Sequence, residues 1–334
     1  MPASQTLLQH LLHQEMTPPT EFLRMCMKAL KHHKEKIWLA AKIIFLVLAV
    51  FFLARYFILN ISDISDIDQY IDWRVFALSI LIFIVHKLTL AGLWHYITIL
   101  GGVRIKPSDA VTAYLYSVLG KYIPGKVFML LARFPAYKRA GTSLSKVTVC
   151  FLLEAVCTIL GAVILFIASL FFFPNNLLSG YEPLIAILIA VLFVCMHPKV
   201  INFLLRGLER LTKKENLQLS MTYMQMLKVS LLFVLNWLVV GIGYYMLATS
   251  VYPVPASELL YTAGIFAIST TIGILAIIAP SGIGVREAIM ILGLGLIMPQ
   301  PYAVMIAVMA RLWTTAGEMI VILAAFIVSK VRNK

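Results

Sequence analysis

The strongest constraint in this sequence is a set of apolar stretches long enough to cross a lipid bilayer. A membrane-spanning helix needs about 20 predominantly apolar residues. Six stretches of the 334-residue chain meet or approach that length. They are 38–59, 74–100, 147–173, 184–197 with an extension toward 205, 229–250 and 304–329. Only 13% of the residues are charged, against about 25% in soluble domains, so the sequence predicts an all-α polytopic membrane protein.

The basic residues predict how the chain is oriented, since Lys and Arg accumulate in cytoplasmic loops. Region 20–42 carries six of them, whereas loop 60–72 carries four aspartates and no basic residue. Loops 174–183, 251–258 and 299–303 likewise hold no Lys or Arg. We therefore expect both termini on the cytoplasmic side. Topology also explains the net charge of +13, and we expect no nucleic-acid partner.

Two further apolar regions, 109–137 and 258–299, are each broken by a cluster of Pro and Gly. A full crossing by the first region would place its two basic flanks on opposite faces of the membrane. Moreover, residues 109–120 form only about 18 Å of helix, against a hydrocarbon core of about 30 Å. We therefore predict two re-entrant helical hairpins of opposite orientation which, with about six full spans, form an inverted repeat.

The remaining composition limits what else the chain can be. We divide it into a cytoplasmic lead-in, 1–36, and a single transmembrane domain, 37–334. Segment 21–36 is either an amphipathic helix on anionic lipid or a solvated approach to the first span. The four cysteines and seven histidines show no metal-ligand spacing, and no phosphate-binding loop for a nucleotide is present. We expect neither a metal nor a cofactor.

Charged residues inside the apolar regions are the main functional signal. Five are basic: Lys87, Lys121, Lys126, Arg286 and Arg311. Three are acidic: Glu154, Glu287 and Glu318. A charge at the bilayer centre costs about 2.5–3.5 kcal/mol even on insertion scales, so such residues face a protein interior or a wet cavity. Two interpretations remain open, mutual ion pairing or a cationic surplus that binds an anion.

The two Pro/Gly breaks suggest which anion is bound. A hairpin tip places a helix N-terminus, with its free N–H groups and positive dipole end, near the middle of the membrane. Glycine permits the tight turn, and phosphate is an anion that such sites hold. The predicted lipid-phosphate ligands are Lys121, Gly125, Lys126, Arg133, Ser281, Gly282, Gly284, Arg286 and Arg311. Pro124 and Pro280 are the predicted breaks, and Glu154, Glu287 and Glu318 are assigned to proton coupling or charge pairing.

Three segments carry a family resemblance. "LGKYIPGKVFMLLAR" (119–133), "PSGIGVREA" (280–288) and "ARLWT" (310–314) together resemble the lysylphosphatidylglycerol synthase transmembrane family, over about residues 38–330. The resemblance implies a flippase-like α-helical domain that translocates lipids with modified or glycosylated headgroups, including glycan carriers, cardiolipin and hopanoids. Ser281 stands where glycine is commoner. No soluble aminoacyl-transferase domain follows residue 334, so we expect no synthesis of lysyl-lipid.

These observations predict a translocase (flippase) of the bacterial cytoplasmic (inner) membrane and not an enzyme. It would move a phospholipid or polyprenyl-phosphate-linked headgroup through a cationic intramembrane cavity. Its expected partners are anionic membrane lipids, and a homo-oligomer is left open. Two alternatives remain at this point: a non-transporting scaffold subunit of an envelope lipid pathway, and an integral membrane lipid-phosphate transferase.

Overall fold

The computed structural model describes residues 71–122, 127–173, 180, 182–212, 217–276, 282 and 284–332. Within these ranges every regular element is helical, with ten α-helices and no strand. They are α1 Trp73–Leu100, α2 Pro107–Ser117, α3 Val127–Arg139, α4 Leu144–Phe171, α5 Glu182–Cys195, α6 Pro198–Thr212, α7 Tyr223–Thr249, α8 Leu259–Leu275, α9 Val285–Leu294 and α10 Gln300–Arg332. Short 3₁₀ turns, Val118–Tyr122 and Ala256–Glu258, follow α2 and precede α8.

The prediction of an all-helical, multi-pass membrane protein is confirmed. Helices α1, α4, α7 and α10 are each long and apolar enough to cross a membrane, and they match four of the predicted spans. The predicted span over 184–205 consists of two helices, α5 and α6, and the chain bends by 69° between them. The predicted span 38–59 and the lead-in 1–36 lie outside the described residues.

Helix starts in the bundle follow ordinary capping chemistry. Asp72 is the N-cap of α1, and its Oδ1 accepts hydrogen bonds from the backbone N–H groups of Arg74 and Val75, at 2.9 and 3.2 Å. Thr222 is the N-cap of α7 and forms a capping box. Its hydroxyl accepts a hydrogen bond from the Gln225 N–H, and the Gln225 side chain accepts one from the Thr222 N–H. Side-chain oxygens thus replace the missing backbone acceptors at both helix starts.

The two regions predicted as hairpins are each a pair of helices. Pro107 opens α2 with Asp109 in its first turn, and α3 follows the 3₁₀ turn. In the second region α8 precedes α9, and Ala256–Leu275 also passes the length and composition criteria for a full span. The re-entrant placement of both regions therefore stays a prediction.

The helix contacts repeat between the two halves of the chain. If α1 to α4 are matched in order with α7 to α10, the α1–α2, α2–α3 and α3–α4 contacts have counterparts in α7–α8, α8–α9 and α9–α10. Contacts between the halves exchange in the same way, since α2 packs on α10 as α8 packs on α4. An internal repeat requires such a correspondence. The first and second hairpins also pack into two different apolar clusters.

Candidate cationic site among the membrane helices

The first group of buried charges joins three helical elements through one carboxylate. Glu318, near the middle of α10, is 3% exposed. Its Oε1 lies 3.0 Å from Nζ of Lys87, which sits mid-helix in α1. Its Oε2 pairs with Nζ of Lys121, in the 3₁₀ turn of the first hairpin. Two ammonium groups therefore share one carboxylate, and this group carries a charge of +1.

The second group forms at the start of α9. Gly284, at φ +84°, precedes the helix, and its N–H donates to Oε2 of Glu287 at 2.7 Å. The other Glu287 oxygen lies 3.7 Å from Nη1 of Arg311 on α10. Arg286, beside Glu287, is 8% exposed, and its Cζ lies 4.9 Å from the centroid of the Phe266 ring. Two guanidinium groups thus accompany one carboxylate, which again leaves a charge of +1.

Helix α10 brings the two groups together. Arg311 and Glu318 are seven residues apart, which is about 10 Å along the helix and returns to the same face. Lys121 of the first hairpin pairs with Glu318, and Glu287 at the start of α9 in the second hairpin faces Arg311. Charged residues that adjoin the two hairpin breaks therefore contact the same face of α10. We call Lys87, Lys121, Arg286, Glu287, Arg311 and Glu318 the cationic site; its net charge is +2.

Arg286 is the member of the cationic site whose hydrogen bonding is least complete. Its Nη2 is buried and has no hydrogen-bond partner among the described residues. A buried polar group normally finds a partner, and a charged one costs most when it does not. Contact with the face of Phe266 offsets part of this cost. An anion at Nη2 would supply the missing acceptor.

Arg133 occupies a separate, closed ion pair. It is completely buried, and its two terminal nitrogens face the carboxylate of Glu154 on α4, with Nη2 to Oε1 at 3.4 Å. Its Nε donates to Oγ of Ser117 at 2.9 Å. The guanidinium also packs on the ring faces of Trp94 and Tyr114, at 4.1 and 4.4 Å to their centroids. Among the described residues, the polar contacts of Arg133 go to Glu154 and Ser117 and not to a residue of the cationic site, and its role as a lipid-phosphate ligand stays a prediction.

The other predicted ligands divide between observed and undescribed positions. The structure brings Lys121, Gly282, Gly284, Arg286 and Arg311 to the two breaks. Gly282 has φ +69°, and a Cβ there would lie 2.7 Å from the Gly273 backbone, so the turn requires glycine. The predicted residues Pro124, Gly125, Lys126, Pro280 and Ser281 lie outside the described residues.

The three predicted carboxylates are all found in ion pairs. Glu154 holds Arg133, Glu287 faces Arg311, and Glu318 holds both lysines. These contacts fit the charge-pairing role, and proton coupling stays a prediction. In the part of the chain that the structure describes, no group of three or more His, Cys, Asp and Glu side chains could hold a metal ion.

Two features of this region, the aromatic rings around Arg133 and a cavity, were not predicted from the sequence. The rings around Arg133 come from α1, α2 and α4, and no local pattern connects them. Arg104, Lys106 and Arg139 belong to the basic flanks of 109–137, which served only to predict the topology, although these residues line a cavity. A polar stripe on α2 was available as a signal for that cavity, since Asp109, Thr112 and Tyr116 recur at spacings of three and four.

Comparison with known proteins identifies a family. The family model described as "Lysylphosphatidylglycerol synthase TM region" matches residues 37–322, which cover most of the chain and include every charged residue of the cationic site. No curated protein matches the chain.

Proposed function

We propose that this chain, which belongs to the lysylphosphatidylglycerol synthase TM region family, is a translocase for lipids with an anionic phosphate headgroup. The family and the apolar helices make it a multi-pass membrane protein of lipid modification or transport. Translocation of the lipid is the part that we propose. In this proposal the headgroup crosses the membrane through the cationic site while the acyl or prenyl chains stay in lipid.

The observation that carries the proposal is that Nη2 of Arg286 has no hydrogen-bond partner among the described residues, within a site whose six members carry a net charge of +2. Each uncompensated charge at this depth costs free energy. A phosphate oxygen would give the guanidinium the acceptor it lacks, and guanidinium binds phosphate in a bidentate geometry. A headgroup with a charge of −1 to −2 would also offset the surplus.

The partly exposed cations of the two groups provide a route for the headgroup. The side chains of Lys121 and Arg311 are 29% and 27% exposed, whereas their partners Glu318 and Glu287 are buried. A phosphate can therefore reach each cation without first displacing the carboxylate that holds it. One cation belongs to the first hairpin and the other packs against the second, so transfer between them moves the headgroup from one hairpin to the other. A scaffold subunit would have no need for such a surplus.

The proposal is tested by lipid scrambling in proteoliposomes. A fluorescent phosphatidylglycerol is reconstituted with the full chain, and the fraction protected from an external quencher is followed over time. We expect Arg286→Gln to slow its transfer about tenfold or more, because the variant loses the guanidinium charge. Arg74→Gln, which changes an exposed arginine at the start of α1, is the matched control and should transfer at the wild-type rate.

A fluorescent glycolipid without phosphate separates phosphate recognition from unspecific leakage, and we expect the protein to leave its transfer unchanged. Equal rates for wild type and Arg286→Gln with phosphatidylglycerol would refute the translocase proposal. Transfer of the phosphate-free lipid at the same rate would also refute it, because the cationic site would then play no part in selection.

A further inference from the structure

A cavity of about 640 Å³ opens between α2 and α3, at the open end of the first hairpin. We call it the hairpin-mouth cavity. Its wall includes the loop between α1 and α2, the ends of α2 and α3, and Ser329 near the end of α10. Drug-sized ligands occupy pockets of about 300–1,000 Å³, so a lipid headgroup is within its capacity.

The lining of the hairpin-mouth cavity is cationic. Arg104, Lys106 and Arg139 line it together with one acid, Asp109. Asp109 sits in the first turn of α2, where the positive end of the helix favours a carboxylate. Among the described lining residues, three cations stand against this one acid, which gives a net charge of +2.

The remaining wall suits a headgroup that carries hydroxyl groups. Thr112, Tyr116 and Ser329 contribute hydroxyls, and the Tyr116 hydroxyl bonds to Ser329 Oγ at 2.8 Å, which ties α2 to α10. Small side chains such as Ala132 and Ala136 keep the space between α2 and α3 open. Two arginines at the rim can each hold a phosphate through paired N–H groups.

The hairpin-mouth cavity is distinct from the cationic site. Ser329 follows Glu318 by eleven residues on α10, which corresponds to about 16 Å of helix. A hydrocarbon core is about 30 Å thick, so this distance is about the separation between the middle of the membrane and its surface. Lys87, Lys121, Arg286 and Arg311 do not line the cavity.

A second cavity, of about 790 Å³, lies beside the first and shares Arg104, Ile105 and Lys106 with it. The loop between α1 and α2 therefore has space on two sides. It lies on the face that the charge distribution predicts to be cytoplasmic, where anionic lipids give the membrane a negative surface potential. Basic pockets between membrane helices on that face are suited to phospholipid headgroups.

We propose that the hairpin-mouth cavity binds the phosphate headgroup of an anionic phospholipid at the membrane surface, with Arg104, Lys106 and Arg139 as its cationic ligands. The acyl chains extend from the cavity into the bilayer. This binding does not depend on translocation: the site holds a lipid whether or not the headgroup continues to the cationic site.

The test is equilibrium binding of a short-chain phosphatidylglycerol to the full chain in detergent, counted by native mass spectrometry. We expect Arg104→Gln with Arg139→Gln to weaken binding about tenfold or more, because each arginine supplies charge-assisted hydrogen bonds. Lys138→Gln with Lys330→Gln is the matched control, since both lysines are exposed and adjoin lining residues without lining the cavity. It should bind as the wild type does.

Ala132→Leu adds a charge-neutral test, because it fills the cavity from an exposed position of α3 and should also weaken binding. Inorganic phosphate, tested as a competitor, distinguishes a lipid headgroup from free phosphate. Displacement of the lipid only at far higher phosphate concentration supports the lipid, whereas competition at equal concentration overturns that assignment.

Wild-type affinity in both the double arginine variant and Ala132→Leu would overturn the proposal. Arg286→Gln separates this result from the proposed function: it should lose lipid transfer while keeping the short-chain lipid at the hairpin mouth.

Discussion

The buried pair of Arg133 and Glu154 allows a quantitative prediction that separates structural from ligand-binding roles. Glu154→Leu removes the carboxylate and leaves a completely buried guanidinium with its bond to Ser117 and its aromatic contacts. Breaking one partner of a buried ion pair costs about 3–5 kcal/mol. The aromatic contacts are present before and after the change, so they do not offset this loss. We expect the melting temperature to fall on the order of 5–10 °C.

The double variant Arg133→Met with Glu154→Leu should recover most of that stability. Replacing both charges by apolar groups of similar volume is often neutral or stabilising, because no uncompensated charge stays buried. Each single variant and the double variant are compared by tryptophan fluorescence during heating in detergent, which gives a double-mutant cycle for the pair.

Lipid transfer by the stable double variant then decides the role of Arg133. If the pair is purely structural, the double variant should transfer lipid within about twofold of the wild-type rate once stability is recovered. A stable double variant that has lost transfer would refute the assignment, since Arg133 would then contact the lipid. Equal stability of Glu154→Leu and wild type would contradict the ion pair itself.

Two further predictions address the cationic site and the second break. Glu318→Gln leaves the ammonium groups of Lys87 and Lys121 without their shared carboxylate, so heating in detergent should show a lower melting temperature; an unchanged value would contradict this three-residue contact. Gly282→Ala forces a side chain into a positive-φ turn against backbone and should cost roughly 2 kcal/mol or more by the same measurement, whereas Gly92→Ala, in the middle of α1 with open space around it, should stabilise by about 0.5–1 kcal/mol.

Local features of the fold were predictable because they are encoded over short distances. Apolar runs predicted the four long helices α1, α4, α7 and α10, since spanning length and hydropathy are properties of contiguous residues. The bend between α5 and α6 was not predicted, because an apolar run records composition and carries no signal for the angle between two helices.

The sequence by itself also determined that charges would lie among the membrane helices, and it identified the two breaks with their glycines and basic residues. It could not determine which charges pair. Glu318 holds Lys87 and Lys121, which come from α1 and the first hairpin, although the spacing on α10 indicated only that it shares a face with Arg311. Only the tertiary structure decided this, because a partner is chosen by how helices rotate and pack against one another. The same packing enclosed Arg133 with Glu154 and left Nη2 of Arg286 without a hydrogen-bond partner in the part of the chain that the structure describes.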